Sequence, residues 1–285
     1  MNDLKQKVLI IGTGSIGKRH YRIFKDLLFC DTFIKSSNLY RDNELKKKGY
    51  QIFQENIKYD VGIIATSSDI HLTNISRYSE FCRILLVEKP IISIYNFETN
   101  LVVDNKTKKK VYVGYNKRFE KGISKLRNFI KNKKILAAKF TCLSNLENWR
   151  NQPVLDSISL NRERGGGVLN ELSHEIDLSS FIIGKIKDIQ GNVFQKKFTN
   201  TMVEDTASLK IKHKRGIESL VEISFASSFE ERKIEIRTDR EVIFYDHLSG
   251  DIKVKSFDTQ NYCLIENAKE ERDMSIFKKF FFKFI

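Results

Sequence analysis

The sequence predicts an α/β chain of two domains, a doubly wound parallel sheet followed by an α+β domain with a largely antiparallel sheet. Three observations carry this. Up to about residue 115, short apolar runs alternate with helix-like stretches, the pattern of strands buried on both faces of a parallel sheet. A glycine pattern, GTGSIG at residues 12–17, stands where the first strand should pass into the first helix. Beyond residue 119 the texture changes, and apolar residues begin to alternate with polar ones, as in a sheet with one less buried face. The boundary is therefore placed at residue 118, giving domains 1–118 and 119–285.

Taken in order, VLIIG at residues 8–12 is a buried strand, and residues 15–28 form the helix after it. A weaker strand is expected at residues 37–40, then a charged helix at 41–49. VGIIAT at 61–66 is a further strand, residues 70–80 a helix, and ILLVEK at 84–89 and VYVGYN at 111–116 two more strands. In the second domain a helix is expected at 121–132 and a strand at 135–143. The run GGGVLNELSHEID at residues 165–177 opens a helix. Strands follow at 186–193, 206–212, 219–226, 233–238 and 241–245, and the apolar-basic stretch at 275–285 reads as a helix or tail.

Hydrophobic residues make up 41% of the 285 residues and charged residues 30%, a globular composition. No apolar run reaches the length of a membrane-spanning helix, and the N-terminus does not read as a signal peptide. The formal charge of +14 invites a nucleic-acid reading. The lysines, however, are spread along the chain, and no zinc finger, RNP-like strand or helix-turn-helix is present. Cys30, Cys82, Cys142 and Cys263 are scattered without a CxxC pair, which suits a reducing cytoplasm and argues against a zinc module. No nucleic-acid or membrane partner is expected.

The GTGSIG turn carries the first chemistry. Gly12 permits a tight turn, Gly14 lets a pyrophosphate approach the backbone, and Gly17 lets helix and strand pack closely. Thr13, Ser15 and Ile16 complete this phosphate loop, and the helix N-terminus supplies N–H groups and the positive end of a dipole. The domain is thus read as a Rossmann domain for NAD or NADP. An acidic residue is expected about twenty positions on to hold the ribose 2′-hydroxyl. The sequence there reads Tyr40-Arg41-Asp42: Arg41 suits a 2′-phosphate or an adenine ring, Asp42 a ribose. Arg41 tilts the expectation towards NADP.

Lys89, at the end of a strand and before Pro90, stands where parallel sheets bind ligands. Together with GTGSIGKRH at 12–20, ATSSDIH at 65–71, EKP at 88–90, GYNKRF at 114–119 and the glycine helix at 165–177, it gives a chain that resembles the Gfo/Idh/MocA family (glucose–fructose oxidoreductase and inositol 2-dehydrogenase). The resemblance implies an NAD(P)-dependent oxidoreductase acting on a carbinol of a sugar, cyclitol or sugar derivative. It implies a C-terminal domain whose open sheet makes a homodimer or homotetramer. By the same resemblance Lys89 and His174 carry the chemistry, and Thr66, Ser67, His71 and Glu88 join the cofactor site. Trp149-Arg150 and the SHEID form look most like branches that handle nucleotide sugars and sialic-acid-like sugars. Residues 272–285 resemble the beginning of the family's last helix cut short.

Oxidising a carbinol sends hydride to the nicotinamide and a proton to a base. A histidine titrating near neutrality suits that proton, so His174 is the expected acid/base. Lys89 would hydrogen-bond the substrate oxygen. On a continuous helix Asn170, His174 and Asp177 would share one face towards a cavity, while Leu169, Leu172, Ile176 and Ile183 would face the core. Asn116, Arg118 and Trp149 are further substrate candidates. The family usually carries Asp where this chain has Asn170, which leaves two readings: His174 acts alone as base, or the chain binds cofactor and sugar with little turnover as a sensor or regulatory partner. An active enzyme is favoured. The glycines at 165–167 read as a close approach beside the nicotinamide. No HExxH motif or GxSxG elbow occurs, so neither a metal site nor a serine hydrolase is expected.

Overall fold

The computed structural model describes residues 5–96, 104–108, 110–149, 157–198, 200–258 and 261–269. Two compact units compose it: Met1–Gly114 with Glu163–Gly165, and Tyr115–Arg162 with Gly166–Ile285.

The first unit is built on β1 (Lys7–Ile11), β2 (Asp31–Lys35), β3 (Gln51–Ile52), β4 (Tyr59–Ile64), β5 (Cys82–Val87) and β6 (Val111–Val113). Every pairing is parallel, in the order β3-β2-β1-β4-β5-β6. This is the Rossmann order, and it reverses between β1 and β4, where such sheets open a crevice at their carboxyl ends. Val8, Leu9, Ile10, Ile63, Ile64, Leu85 and Val87 are buried, so the uninterrupted apolar runs reflect a sheet with no solvated face. The helices are α1 (Ser15–Arg22), extended by a π-helical turn at Ile23–Leu27, α2 (Leu39–Lys47), α3 (His71–Tyr78) and α4 (Asn105–Lys108).

The second strand departs from expectation. It lies at Asp31–Lys35, not at residues 37–40. Parallel register with β1 runs from Lys7↔Asp31 to Ile11↔Lys35 and buries Phe33 and Ile34, whereas Leu39 and Tyr40 remain 76% and 75% exposed. Those residues instead begin α2, whose N-cap Asn38 accepts a hydrogen bond from the Arg41 amide at 2.9 Å.

The second unit contains α5 (Lys121–Ile130), β7 (Ile135–Asn145), α6 (Val168–Glu171), α7 (His174–Ile183), β8 (Ile186–Phe194), β9 (Thr206–His213), β10 (Glu218–Ser224), β11 (Ala226–Thr238), β12 (Glu241–Asp246), β13 (Asp251–Ser256) and β14 (Cys263–Asn267). The sheet order is β14-β13-β12-β11-β7-β10-β9-β8. Only the β7–β10 pair is parallel within it. One face is apolar, with Phe140, Val221, Ile223, Ile234, Ile236 and Ile243 buried. The alternate positions form ion pairs, Lys139 with Glu222 and Lys210 with Glu218. Strands β13 and β14 were absent from the sequence reading. The expected helix or tail at 275–285 and Arg150 lie outside the described residues.

The glycine-led helix is not continuous. α6 ends at Glu171, and Leu172 (φ −101°, ψ 28°) and Ser173 (φ −62°, ψ −12°) separate it from α7. The break resets the phase of α7. Val168, Leu172, Leu178 and Ile183 are therefore the buried apolar residues, and Leu169 and Ile176 are only half-buried.

Candidate active site

In the first unit, the turn after β1 is shaped by close backbone approach. Gly12 sits at φ +117°, and a Cβ there would lie 2.4 Å from the Ala65 carbonyl oxygen. A Cβ on Gly17 would lie 2.1 Å from the Gly12 oxygen. Gly14 is different: nothing lies within 4 Å of its Cβ position. As N-cap of α1 it offers no side chain to the first helical amides, so they remain available to an anion. Gly14, Ser15 and Ile16 are exposed and Thr13 is buried. An open glycine on an uncapped helix end beside the β1/β4 switch fits a dinucleotide pyrophosphate.

The carboxyl end of β2 carries no free acid. Asp42 is buried, accepts the Ser36 amide at 2.8 Å and is ion-paired with Lys35. Burial pushes its pKa up, but those partners outweigh burial and hold it below the ordinary carboxylate value. Its reading as a ribose acceptor is therefore corrected: the carboxylate is consumed within its own loop. Arg41 is exposed on the first turn of α2.

At the ends of β4 and β5, Thr66, Ser67 and Lys89 are half-buried, and Asn74 donates to the Thr66 hydroxyl at 3.1 Å. Two expected cofactor residues turn inwards instead. His71 is 1% exposed, and its ring nitrogens meet carbonyl oxygens, Nδ1 to Pro90 at 2.9 Å and Nε2 to Thr66 at 3.1 Å. Glu88 meets His20 Nε2 at 2.7 Å. Burial would raise the Glu88 pKa, yet His20, Lys89 and the Lys89 backbone amide together lower it. The chain's own contacts thus occupy both side chains.

In the second unit His174 opens α7, its ring edge-on to Tyr115 with centroids 5.7 Å apart. The residues that follow it anchor the helix. Asp177 accepts Arg118 Nε at 2.7 Å and a second guanidinium nitrogen, and the hydrogen bond raises the Arg118 pKa. Arg118 also lies over the rings of Tyr115 and Phe181. Asp177 therefore does not stand open on a catalytic face; its bidentate pair with Arg118 commits it. Glu175, 2% exposed, accepts Arg232 Nε from β11 at 2.8 Å. Lys117 pairs with Glu120, whose other oxygen meets His247 Nδ1 at 2.9 Å. Burial pushes Glu120 up, but His247 and Lys117 bring it down to about 2. Burial lowers the His247 pKa despite that bond.

Asn170 is 1% exposed and donates from Nδ2 to the Gly166 carbonyl at 2.9 Å. That bond requires a donor, which an aspartate lacks, and it holds the α6 turn. Glu171 accepts the Ser159 hydroxyl at 2.7 Å. Glu204 caps α6, its backbone oxygen taking the Val168 amide and its carboxylate the Leu169 amide, each at 3.0 Å. The preceding glycines serve packing. A Cβ on Gly165 would strike Ser68 Oγ at 1.9 Å, and one on Gly166 the Ser159 oxygen at 2.5 Å, while Gly167 sits at φ +98°. Their reading as a cofactor approach is corrected accordingly. Trp149 packs edge-on against Phe225 at 6.0 Å, and Asn116 is half-buried at the start of the 3-10 turn Asn116–Phe119.

The sequence reading missed Glu120, Glu175, Glu204, Arg232 and His247. Glu175 alone had a local signal, lying beside His174; the partners of the others are distant in sequence. Among the described residues no cluster of histidine, cysteine or acidic residues is arranged to hold a metal ion, and no helix is long and apolar enough to cross a membrane.

Residues 125–243 match the family described as the GFO/IDH/MocA C-terminal domain. Inositol 2-dehydrogenase of Rhizobium meliloti (strain 1021) is 27% identical over 128 residues, 44% of this chain; the matched stretch spans 37% of that enzyme. Among solved structures, a levoglucosan dehydrogenase in complex with NADH and levoglucosan has a TM-score of 0.74 at 16% identity, covering 92% of this chain and 80% of that one. The UDP-N-acetylglucosamine 3-dehydrogenase of Acidithiobacillus ferrooxidans has a TM-score of 0.72 at 16% identity, covering 97% and 87%. An oxidoreductase from Agrobacterium radiobacter in complex with NAD+, L-tartaric acid and magnesium has a TM-score of 0.75 at 17% identity, covering 94% and 81%.

Proposed function

We propose that this chain, whose residues 125–243 match the GFO/IDH/MocA C-terminal domain, is a member of the Gfo/Idh/MocA family and a nicotinamide-dependent oxidoreductase acting on a carbinol of a sugar or nucleotide sugar, with sialic-acid-like sugars in the same class. The observation that carries the reading is Gly14, the one of the turn's three glycines whose Cβ position faces open space. The named activities of the inositol, levoglucosan and UDP-N-acetylglucosamine dehydrogenases support the substrate class.

The nicotinamide, when bound, accepts or supplies the hydride. The protein's part is to bind, orient and move a proton. The amides at the α1 N-terminus and the open Gly14 hold the pyrophosphate. Arg41 meets a ribose 2′-phosphate, so NADP is preferred over NAD, since Asp42 is consumed by Lys35 and Ser36. Lys89 hydrogen-bonds the substrate oxygen and stabilises negative charge as it develops there. His174 takes or returns the hydroxyl proton. Asn116 is a substrate contact; Arg118 pairs with Asp177, Asn170 holds the α6 turn, and Trp149 packs on Phe225.

A homo-oligomer formed through the outer face of the second sheet is part of the same reading. That face carries Lys139–Glu222 and Lys210–Glu218 pairs, each within one chain. Scattered thiols, three of them buried and none disulfide-bonded, suit a cytoplasmic setting.

The test is to titrate the protein with NADPH and NADH while following Trp149 fluorescence, then to assay a panel of sugars, cyclitols and nucleotide sugars by nicotinamide absorbance. Turnover should fall about a hundredfold to ten-thousandfold in His174→Asn and Lys89→Met. Nucleotide binding without turnover on any of these substrates would return the chain to a sensor or regulatory role, and no nucleotide binding would end both readings.

A further inference from the structure

Lys89 stands between two residues whose positions are set from helices. Its N-terminal neighbour Glu88 holds its carboxylate against His20 Nε2 at 2.7 Å. His20 lies on α1, the helix whose N-terminus forms the phosphate cradle, and is itself fully buried. The same carboxylate accepts the backbone amide of Lys89, and Gly114 lies against it, with a Cβ there 3.4 Å from Glu88 Oε2. On the other side the Pro90 carbonyl meets His71 Nδ1 at 2.9 Å, and His71 Nε2 reaches the Thr66 carbonyl at 3.1 Å. His71 is the first residue of α3. The backbone that carries Lys89 is thus tied to α1 on one side and to α3 and the end of β4 on the other.

Such ties cost burial of polar rings, and a simple core would place apolar side chains there. Rings with two nitrogens can join two elements where an apolar residue joins none. A misplacement of about 1 Å in a reacting group can cost about a hundredfold in rate, so a lysine at a strand end gains from a backbone it cannot drift on. We propose that His20 and His71 are positioning residues for Lys89, His20 acting through the Glu88 carboxylate and His71 through the Pro90 carbonyl. The brace makes the phosphate helix and the lysine parts of one rigid frame: whatever seats on α1 is registered to the Lys89 ammonium through a single side-chain pair. What Lys89 does in that frame rests on the function proposed above, but the brace itself does not.

The charged groups around His71 are Glu88 and Asp69. A neutral imidazole donates from one nitrogen only, and the imidazolium from both. Burial, the largest influence, lowers the His71 pKa, and the two carbonyls and two carboxylates oppose it.

The experiment compares the wild-type chain with His71→Asn, His71→Phe, His20→Gln and His20→Phe by two readouts. The first needs no substrate: the rate at which Lys89 is acylated by acetic anhydride across a pH series, followed by peptide mass spectrometry, with the other lysines as internal controls. The second is the split between kcat and KM on a turned-over substrate. Both phenylalanine variants should alter Lys89 labelling and its pH profile at least about threefold, and lower kcat about tenfold to hundredfold with KM for the nucleotide nearly unchanged. His20→Gln, which can still donate to Glu88, should recover most of both. His71→Asn keeps a donor and guards against a phenylalanine variant that does not fold. Wild-type Lys89 labelling in every folded variant would overturn the proposal. Altered labelling in a chain that binds no nucleotide would sustain the brace and sink the function.

Discussion

The turns at residues 12–17 and 165–167 look alike as letters: each is rich in glycine and each opens a helix. In the first, Gly12 and Gly17 are closed by backbone contacts and Gly14 faces open space. In the second, the Cβ positions of Gly165 and Gly166 are both filled by the chain itself, and Gly167 has positive φ. The same residue therefore serves two ends. One turn leaves a glycine open to space, and the other places glycine where the protein's own atoms fill the room a side chain would need. The distinction rests on what stands opposite each absent Cβ, which no spacing rule records.

The largest effect expected from breaking this contrast is at Gly14. Gly14→Asp should leave the melting temperature unchanged yet weaken NADPH binding about a hundredfold or more, because a carboxylate would face the pyrophosphate. A fluorescence titration beside a thermal melt reads both; a large loss of stability would mean the position is not open.

Acid sharpens the comparison in the second unit, where buried charges anchor the helix after the glycines. The folded-state pKa of Glu120 is depressed from 4.5 to about 2, so its stabilisation is present above 4.5 and is lost as pH falls towards 2. Burial also lowers His247, so the unfolded chain takes that proton first and stability starts to fall below the ordinary histidine value. Both signs agree. Stability of the second unit should drop on the order of 2–3 kcal/mol between neutrality and strong acid through Glu120, and Glu120→Gln should flatten the lower part of that profile in chemical denaturation.

Gly166→Ala should cost about 1–3 kcal/mol, since its methyl would press on the Ser159 and Ile158 carbonyls. Nucleotide affinity of the folded protein should not change, which is the converse of Gly14→Asp. Asn170→Asp should destabilise by about 1–2 kcal/mol, because it sets an acceptor against the Gly166 carbonyl, and it should not raise turnover. Smallest of all, Arg41→Ala should reduce the NADPH-to-NADH affinity ratio only about threefold to tenfold, given an exposed guanidinium.

The parts of the fold that could be read in advance are those whose determinants are local. The runs VLIIG and VGIIAT supply most of β1 and β4 because their apolar residues share one task, burial. The second strand was misplaced because Leu39 and Tyr40 look strand-like, although Ser37-Asn38 ahead of a charged stretch is an N-cap signature. In β13, Ile252 and Val254 alternate with Lys253 and Lys255, a legible period of two. The break at Leu172 and Ser173 had no such mark, since helical periodicity continues on both sides. Lys89, His174 and the GTGSIG loop are proposed from motif and place. The roles of Asn170, Asp177, His71 and Glu88 were not legible there, because each depends on a partner brought in from another element: Gly166, Arg118, Pro90 and His20.

Strand β7 sits in the interior of its sheet, parallel to β10 through Ala137↔Glu218 and antiparallel to β11 through Ile135↔Thr238. Both neighbours are encoded far downstream of it. On the ribosome, this strand emerges with two unsatisfied edges and keeps the first until Ser224 and the second until Thr238 has been made, and closing so long a loop is slow. The first sheet waits less, since all six of its strands are complete by Val113. Newly made chains should thus pass through a stage with a finished amino-terminal half and an adhesive, strand-edged remainder, the stage at which a chaperone has most to protect.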